Sequence, residues 1–147
     1  MNNKLNEEIL SSIIPFLKPY LDEFYKLDRI NLDEDEVEIR GLVDEEDVAK
    51  TKILRVVISH EHRQVYIPNI FIPVFMQHKG IGKKLISLIY QVAKSNGYNL
   101  FIVDLVPSFY KRLVKRGAFI CEANETVQIT DSTNLGSVRK PKKYDFL

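Results

Sequence analysis

Near the N-terminus, apolar residues recur at three- and four-residue steps: Leu5, Ile9, Ile13, Phe16, Leu17, Leu21 and Phe24. This spacing predicts an amphipathic helix over residues 4–27. Pro15 and Pro19 fall inside the run; proline removes a helical N–H and suits a first helical turn. Two helical pieces, about 4–14 and about 16–27, joined by a kink or short break, are therefore expected. The period then shortens. Val37, Ile39 and Leu42 or Val43 predict a short strand, with Gly41 as a bulge or bend. Thr51 to His60 is a strand by composition, and Glu61-His62-Arg63 a tight connection. A longer strand, Gln64 to Phe75, follows. It carries Pro68 and Pro73, where ladder pairing must be absent, bulged or at an edge. Pro73 suggests that this strand parts from its neighbour near its C-terminal end.

Beyond residue 80 the helical period returns. Ile81, Leu85, Leu88, Ile89 and Val92 line one face, with Lys83, Lys84, Ser87, Gln91 and Lys94 on the other. Asn96-Gly97 is a stop signal. Leu100 to Leu105 reads as a buried strand, so residues 64–105 fit one right-handed parallel crossover. Pro107 opens another helix carrying Ser108, Phe109, Tyr110, Leu113 and Val114, and Gly117 ends it. Ala118 to Cys121 and Thr126 to Thr130 form a closing hairpin across Glu122 to Glu125. The order predicts an α/β domain with a mixed central sheet over residues 1–131. A basic tail follows over 132–147, containing Arg139-Lys140-Pro141-Lys142-Lys143.

Composition narrows the function classes. The 147 residues are 45% apolar and carry a net charge of +1, enough core for one domain and too little basic excess for a dedicated nucleic-acid binder. The single cysteine, Cys121, excludes an internal disulfide and a multi-cysteine metal site. No apolar run approaches the length of a membrane span. Glu7 and Glu8, without a basic stretch before a long apolar run, do not read as a secretory signal, so a cytoplasmic location is expected. Ten of the twenty residues 28–47 are Asp or Glu. They read as solvated turns and a charged edge strand, or as an acidic rim that attracts a cationic substrate.

The chemistry centres on Gln77-His78-Lys79-Gly80-Ile81-Gly82, a glycine-containing turn between a strand and a helix. Unpaired N–H groups and the helix dipole make such a turn an anion site, and glycine lets a bulky polyanion approach the backbone. Lys83 and Lys84, in the first turns where the dipole disfavours cations, fit a bound anion or an ordinary surface. This turn, with Ile70 and Ile72 before it, Lys83-Lys84-Leu85 after it, then Phe109-Tyr110, Gly117 and Phe119, resembles the GNAT superfamily of acetyl-CoA-dependent N-acetyltransferases. Gln77, Gly80 and Gly82 match that family's cofactor signature in full.

The resemblance implies a mixed sheet splayed between strands 64–75 and 99–105, helices on both faces, and acetyl-CoA as cosubstrate in the splay. It places the cofactor pyrophosphate on Gln77, His78, Lys79, Gly80, Ile81 and Gly82, with Lys83 adjacent. Ile72, Pro73 and Val74 would flank the pantetheine arm and thioester, with a strand N–H stabilising the oxyanion. Tyr110 matches the family's general acid, which protonates the departing thiolate. An amine acceptor, expected to be cationic, would attack the thioester directly. No metal is implied, and a homodimer is compatible with the sequence.

Three departures stand against the family pattern. The chain opens with helix rather than the family's first strand, which is absent or replaced. Gly117 follows Tyr110 by seven residues, and Ala118 precedes Phe119. No Asp or Glu lies between Gln64 and Phe75, where some members carry a base; Tyr66 occupies the nearest position. His60, Glu61, His62 and Asp104 are the remaining candidates for a base. These departures sustain a second reading, a catalytically silent CoA-binding or protein-interaction module of the same fold.

Overall fold

The computed structural model describes residues 3–42, 51–70 and 80–136. The chain opens with one continuous helix, α1 (Asn3–Phe24), with Pro15 and Pro19 inside it. The predicted break is absent for a physical reason. Both prolines are exposed, whereas Ile9, Ile13, Leu17 and Leu21 on the opposite stripe are at most 1% exposed. Each interior proline costs about 3 kcal/mol. Each buried aliphatic side chain returns roughly 1.5–3 kcal/mol, and the prolines' lost bonds free carbonyls on the side open to water.

The hairpin β1 (Leu27–Asp33) and β2 (Glu36–Leu42) follows, paired in register from Leu27↔Leu42 to Asp33↔Glu36. β1 was not expected. Its residues are largely polar, and Ile30 and Leu32 stay more than a third exposed on an edge strand. Gly41 owes its identity to packing, since a Cβ there would lie 2.7 Å from the Tyr25 ring. The register irregularity in β2 falls one step earlier, between Ile39 and Arg40.

β3 (Thr51–Ser59) and β4 (Gln64–Ile70) are joined by the turn at residues 60–63. Then come α2 (Ile81–Ser95), β5 (Asn99–Ile102), α3 (Pro107–Lys115), β6 (Phe119–Glu122) and β7 (Thr126–Ile129). The strands form one mixed sheet in the order β1-β2-β3-β4-β5-β7-β6. Among the described residues β4–β5 is the one parallel pair, as a strand–helix–strand crossover requires.

The core runs across one sheet face. Val37, Ile39, Val56, Ile58, Val65, Ile67, Leu100, Ile102, Val127 and Ile129 are all buried. α1 packs on β1, β2 and α2, while α2 also packs on β5. Contact with two neighbours widens the buried arc of α2. Ile86 and Ala93 join Leu85 and Ile89 in the core, and Ser87, expected on the polar face, is 8% exposed. Among the described residues no helix is long and apolar enough to cross a membrane.

Candidate ligand-binding cleft

β4 and β5 begin as a regular parallel pair, Gln64↔Asn99 through Ile67↔Ile102. The last rung is the Val103 N–H donating to the Ile67 carbonyl at 3.1 Å. Pro68 comes next. On its other side, β4 slips register against β3, pairing Val57 with Tyr66 but Arg55 with Asn69. Two residues of β4, Ile67 and Pro68, therefore oppose Val56 alone. A proline with no N–H to donate sits naturally in such a bulge, and a bulge bends its strand. The parting starts here, five residues before Pro73, and β5 ends at Ile102 rather than at Leu105. Ile67, Pro68, Ile102, Val103, Asp104, Leu105, Val106 and Phe109 line a cavity of about 40 Å³ at this point. A wider hollow of about 600 Å³ between α1 and α2, lined by Lys4, Glu7, Glu8, Ser11, Ser12 and Val92, is open helix surface at the other end of α2.

The N-terminus of α2 leaves its first backbone N–H groups without a side-chain cap. Its N-cap is Gly80, left-handed at φ 71, with no side chain capping the first N–H groups and no acidic residue in the first turn. Among the described residues, a Cβ at Gly80 would meet nothing within 4 Å. Ile81, 1% exposed, anchors the turn in the core, and Gly82 is half-buried behind it. Two cations gather beside this end. A Cβ at Gly136 would lie 3.3 Å from Lys83 Nζ and 4.0 Å from Arg116 Nη1. Arg116 comes from the end of α3 and donates to the Asn134 carbonyl at 3.1 Å. It escaped the sequence reading because only the fold carries the end of α3 to the start of α2.

The segment after β7 is pinned along α2. Asp131 accepts from Lys94 Nζ at 2.8 Å and from the Tyr90 hydroxyl. The Lys94 ammonium, then the Tyr90 hydroxyl, hold the Asp131 carboxyl below its ordinary value; burial, then Asp131, pushes Tyr90 up to about 12. Leu135 is buried, and Gly117, at φ 97, leaves no room for a side chain against the Ser132 carbonyl. Residues 131–136 thus pack on α2 and α3, while the basic run 139–143 lies outside the described residues.

Gly80, Ile81, Gly82 and Lys83 stand together at the α2 N-terminus; Ile72, Pro73, Val74, Gln77, His78 and Lys79 lie outside the described residues. Tyr110 is on α3, 8% exposed and packed in the core, while its neighbour Phe109 lines the gap. The Tyr110 hydroxyl makes no hydrogen bond among the described residues. The other base candidates are dispersed. His60, Glu61 and His62 occupy the turn before β4, where His60 bonds the Tyr98 hydroxyl at 2.8 Å and the Glu34 carbonyl at 2.9 Å. Tyr98 follows the C-terminal end of α2, so this turn is a helix length, about 20 Å, from Gly80. The acidic turn Asp33–Glu36 lies at that same far end. Glu36 is paired with Arg55 at 2.6 Å and Glu38 with Arg40 at 3.1 Å, and residues 44–47 lie outside the described residues. Tyr66 stacks on Phe101 across the paired part of β4 and β5, its hydroxyl on Gln64. Asp104 alone stands at the gap. It holds φ 56, a left-handed conformation costing a non-glycine residue roughly 1–2 kcal/mol. Among the described residues no cluster of three potential metal ligands occurs.

No protein-family model matches the chain, and no curated protein matches it in sequence. Two of the solved structures similar to it are acetyltransferases by their descriptions. One is nourseothricin acetyltransferase, at 14% identity and a TM-score of 0.38, over 66% of this chain and 64% of that one. The chain thus spans just under two thirds of that enzyme's length. The other is described as a putative acetyltransferase from Agrobacterium tumefaciens, at 14% identity and a TM-score of 0.37, over 83% of this chain and 88% of that one.

Proposed function

We propose that the chain is an acyltransferase that binds acetyl-CoA in the gap between β4 and β5 and passes the acetyl group to an amine. The observation that carries this reading is one juxtaposition: a parallel strand pair parts after Ile67 and Ile102 at a small, mostly apolar cavity, and a separate uncapped helix N-terminus carries cations. A long ligand with a diphosphate at one end and a slender arm at the other fits that pair of features. The N–H groups following Gly80 take the diphosphate, with Lys83 and Arg116 beside it, and β4 beyond Ile67 accepts the arm. The amine attacks the thioester carbonyl directly. The C–N bond forms as the C–S bond breaks, and the amine proton leaves to a base or water. Tyr110 supplies the proton for the departing sulfur, its hydroxyl having no other partner among the described residues.

A second reading, CoA binding without turnover, draws on the burial of Tyr110, whose ring sits in the core rather than in the gap lining. Calorimetry and thiol release separate the two. Acetyl-CoA binding to the wild-type chain, lost in a folded Gly82→Glu variant that places a carboxylate at the helix N-terminus, supports the cofactor site. Retained affinity in that variant would sink it. Binding without thiol release from any amine, unaffected by Tyr110→Phe, favours the silent module.

A further inference from the structure

The outer face of α3 is a row of cations. Ser108, Lys111, Arg112 and Lys115, at steps of three and four, share that face and are all exposed, while Tyr110 and Leu113 on the opposite side are buried. Among the described residues neither Lys111 nor Lys115 has an acidic partner, and Arg112 lies over the Phe109 ring, 5.7 Å from its centre, rather than on a carboxylate. Elsewhere the pattern is the reverse: Lys4, Arg55 and Lys94 pair with Glu8, Glu36 and Asp131. The C-terminal dipole favours Lys115, but Lys111 stands mid-helix one turn before it, where like charges repel. Asp104 and Glu125 stand ahead of the N-terminal end of α3 and pair with none of these cations. Exposed apolar side chains bracket the row: Val106, 60% exposed, before it, and Phe119, 62% exposed, just beyond its end.

We propose that this face docks an acidic segment of another protein. Carboxylates of the segment meet Lys111, Arg112 and Lys115, and apolar side chains at its two ends meet Val106 and Phe119. This docking is independent of the acetyl-transfer reading above. A nucleic acid calls for a wider basic field than a chain of net charge +1 and a nine-residue helix, about 14 Å long, provide. Apolar side chains at both ends of the row suit a polypeptide. A second copy would offer its acidic β1–β2 turn, where Glu36 is already held by Arg55. Such a contact would also be head-to-tail, a geometry that builds rings or filaments rather than a closed pair.

The test titrates the full chain with a fluorescently labelled peptide of glutamates with a leucine near each end. The same peptide with glutamine for glutamate, and a labelled oligothymidylate of similar length, are run beside it. Wild type should bind the glutamate peptide saturably and more weakly as salt rises, and should not bind the glutamine version. Lys111→Glu with Lys115→Glu should weaken binding by about 10-fold or more at low salt, and the paired glutamine substitutions by about 3-fold. Phe119→Ser should weaken it by about 3-fold at low and high salt alike, because apolar burial is not screened. Urea midpoints near wild type in the paired lysine variants separate lost docking from lost folding. Absence of peptide binding in wild type, or equal affinity in wild type and the paired glutamate variant, overturns the proposal. So does equal binding of the glutamine peptide, or tighter binding of the oligothymidylate. Wild-type self-association that disappears in the paired variant assigns the face to a second copy, and a loss of acetyl-CoA affinity there assigns the cations to the ligand site; either result overturns the proposal.

Discussion

Alanine at Gly80 tests the anion site with a single methyl group. Gly80 is left-handed, so alanine costs roughly 1–2 kcal/mol of stability. No clash with the described residues adds to this, because the new Cβ meets none of them within 4 Å. For a chain of this size that lowers Tm by roughly 2–8 °C. The methyl group instead adds bulk at the α2 N-terminus, where the diphosphate is proposed to sit. Displacing one charge-assisted hydrogen bond costs about 1.5–3 kcal/mol, which weakens Kd by about 10- to 150-fold. Gly117→Ala is the control. It carries the same left-handed cost and adds a 2.8 Å contact with the Ser132 carbonyl, an overpacking of about 1–3 kcal/mol more. It should lose more stability than Gly80→Ala and keep acetyl-CoA affinity. The assays are calorimetric titration with acetyl-CoA and urea unfolding of both variants. Undiminished affinity in Gly80→Ala, alongside the expected loss of stability, would refute an anion in front of Gly80.

Two further outcomes are expected. Tyr110→Phe should leave the unfolding midpoint and acetyl-CoA affinity near wild type while lowering kcat by about 10²-fold or more; unchanged kcat removes Tyr110 from the mechanism. The Tyr90–Asp131–Lys94 clamp predicts pH effects at both extremes. Tyr90 is raised from 10.0 to about 12 in the fold, so its contribution is complete below pH 10 and is lost as pH rises toward 12. Asp131 is held below 3.8, so its contribution is complete above that value and is lost as pH falls through the depressed value. Urea midpoints across pH, compared with Asp131→Asn, check both, and a variant with the wild-type profile contradicts the clamp.

Much of the fold was legible because its signals are local. Pro107 starts α3 at its first position, and a left-handed Gly117 follows its end. The apolar periods locate β3, β4 and α2, and the crossover spacing correctly makes β4 and β5 parallel. Local rules failed where tertiary packing outweighed them. Pro15 and Pro19 would break an isolated helix, but their rings face outward while Ile9 to Leu21 lock the opposite stripe into the core. Leu27–Asp33 looked like an acidic connection because an edge strand buries little; its signal was Ile30 and Leu32 two residues apart before a two-residue turn. Pro68 carries the cue for the bulge, but that it takes the bulge depends on the register with β3, which the sequence does not encode locally; Pro73 lies outside the described residues. Arg116 beside Lys83 and Asp104 at the gap are likewise products of topology, each set by an element distant in sequence.

The central claim is that one ligand occupies both the parted strands and the α2 N-terminus. The most direct measurement is a crystal structure of the chain grown with acetyl-CoA. The account predicts the pantetheine arm between β4 beyond Ile67 and β5 beyond Ile102, with the diphosphate on the N–H groups of Ile81 to Lys83. Acetyl-CoA bound elsewhere, with β4 and β5 empty between them, would contradict it.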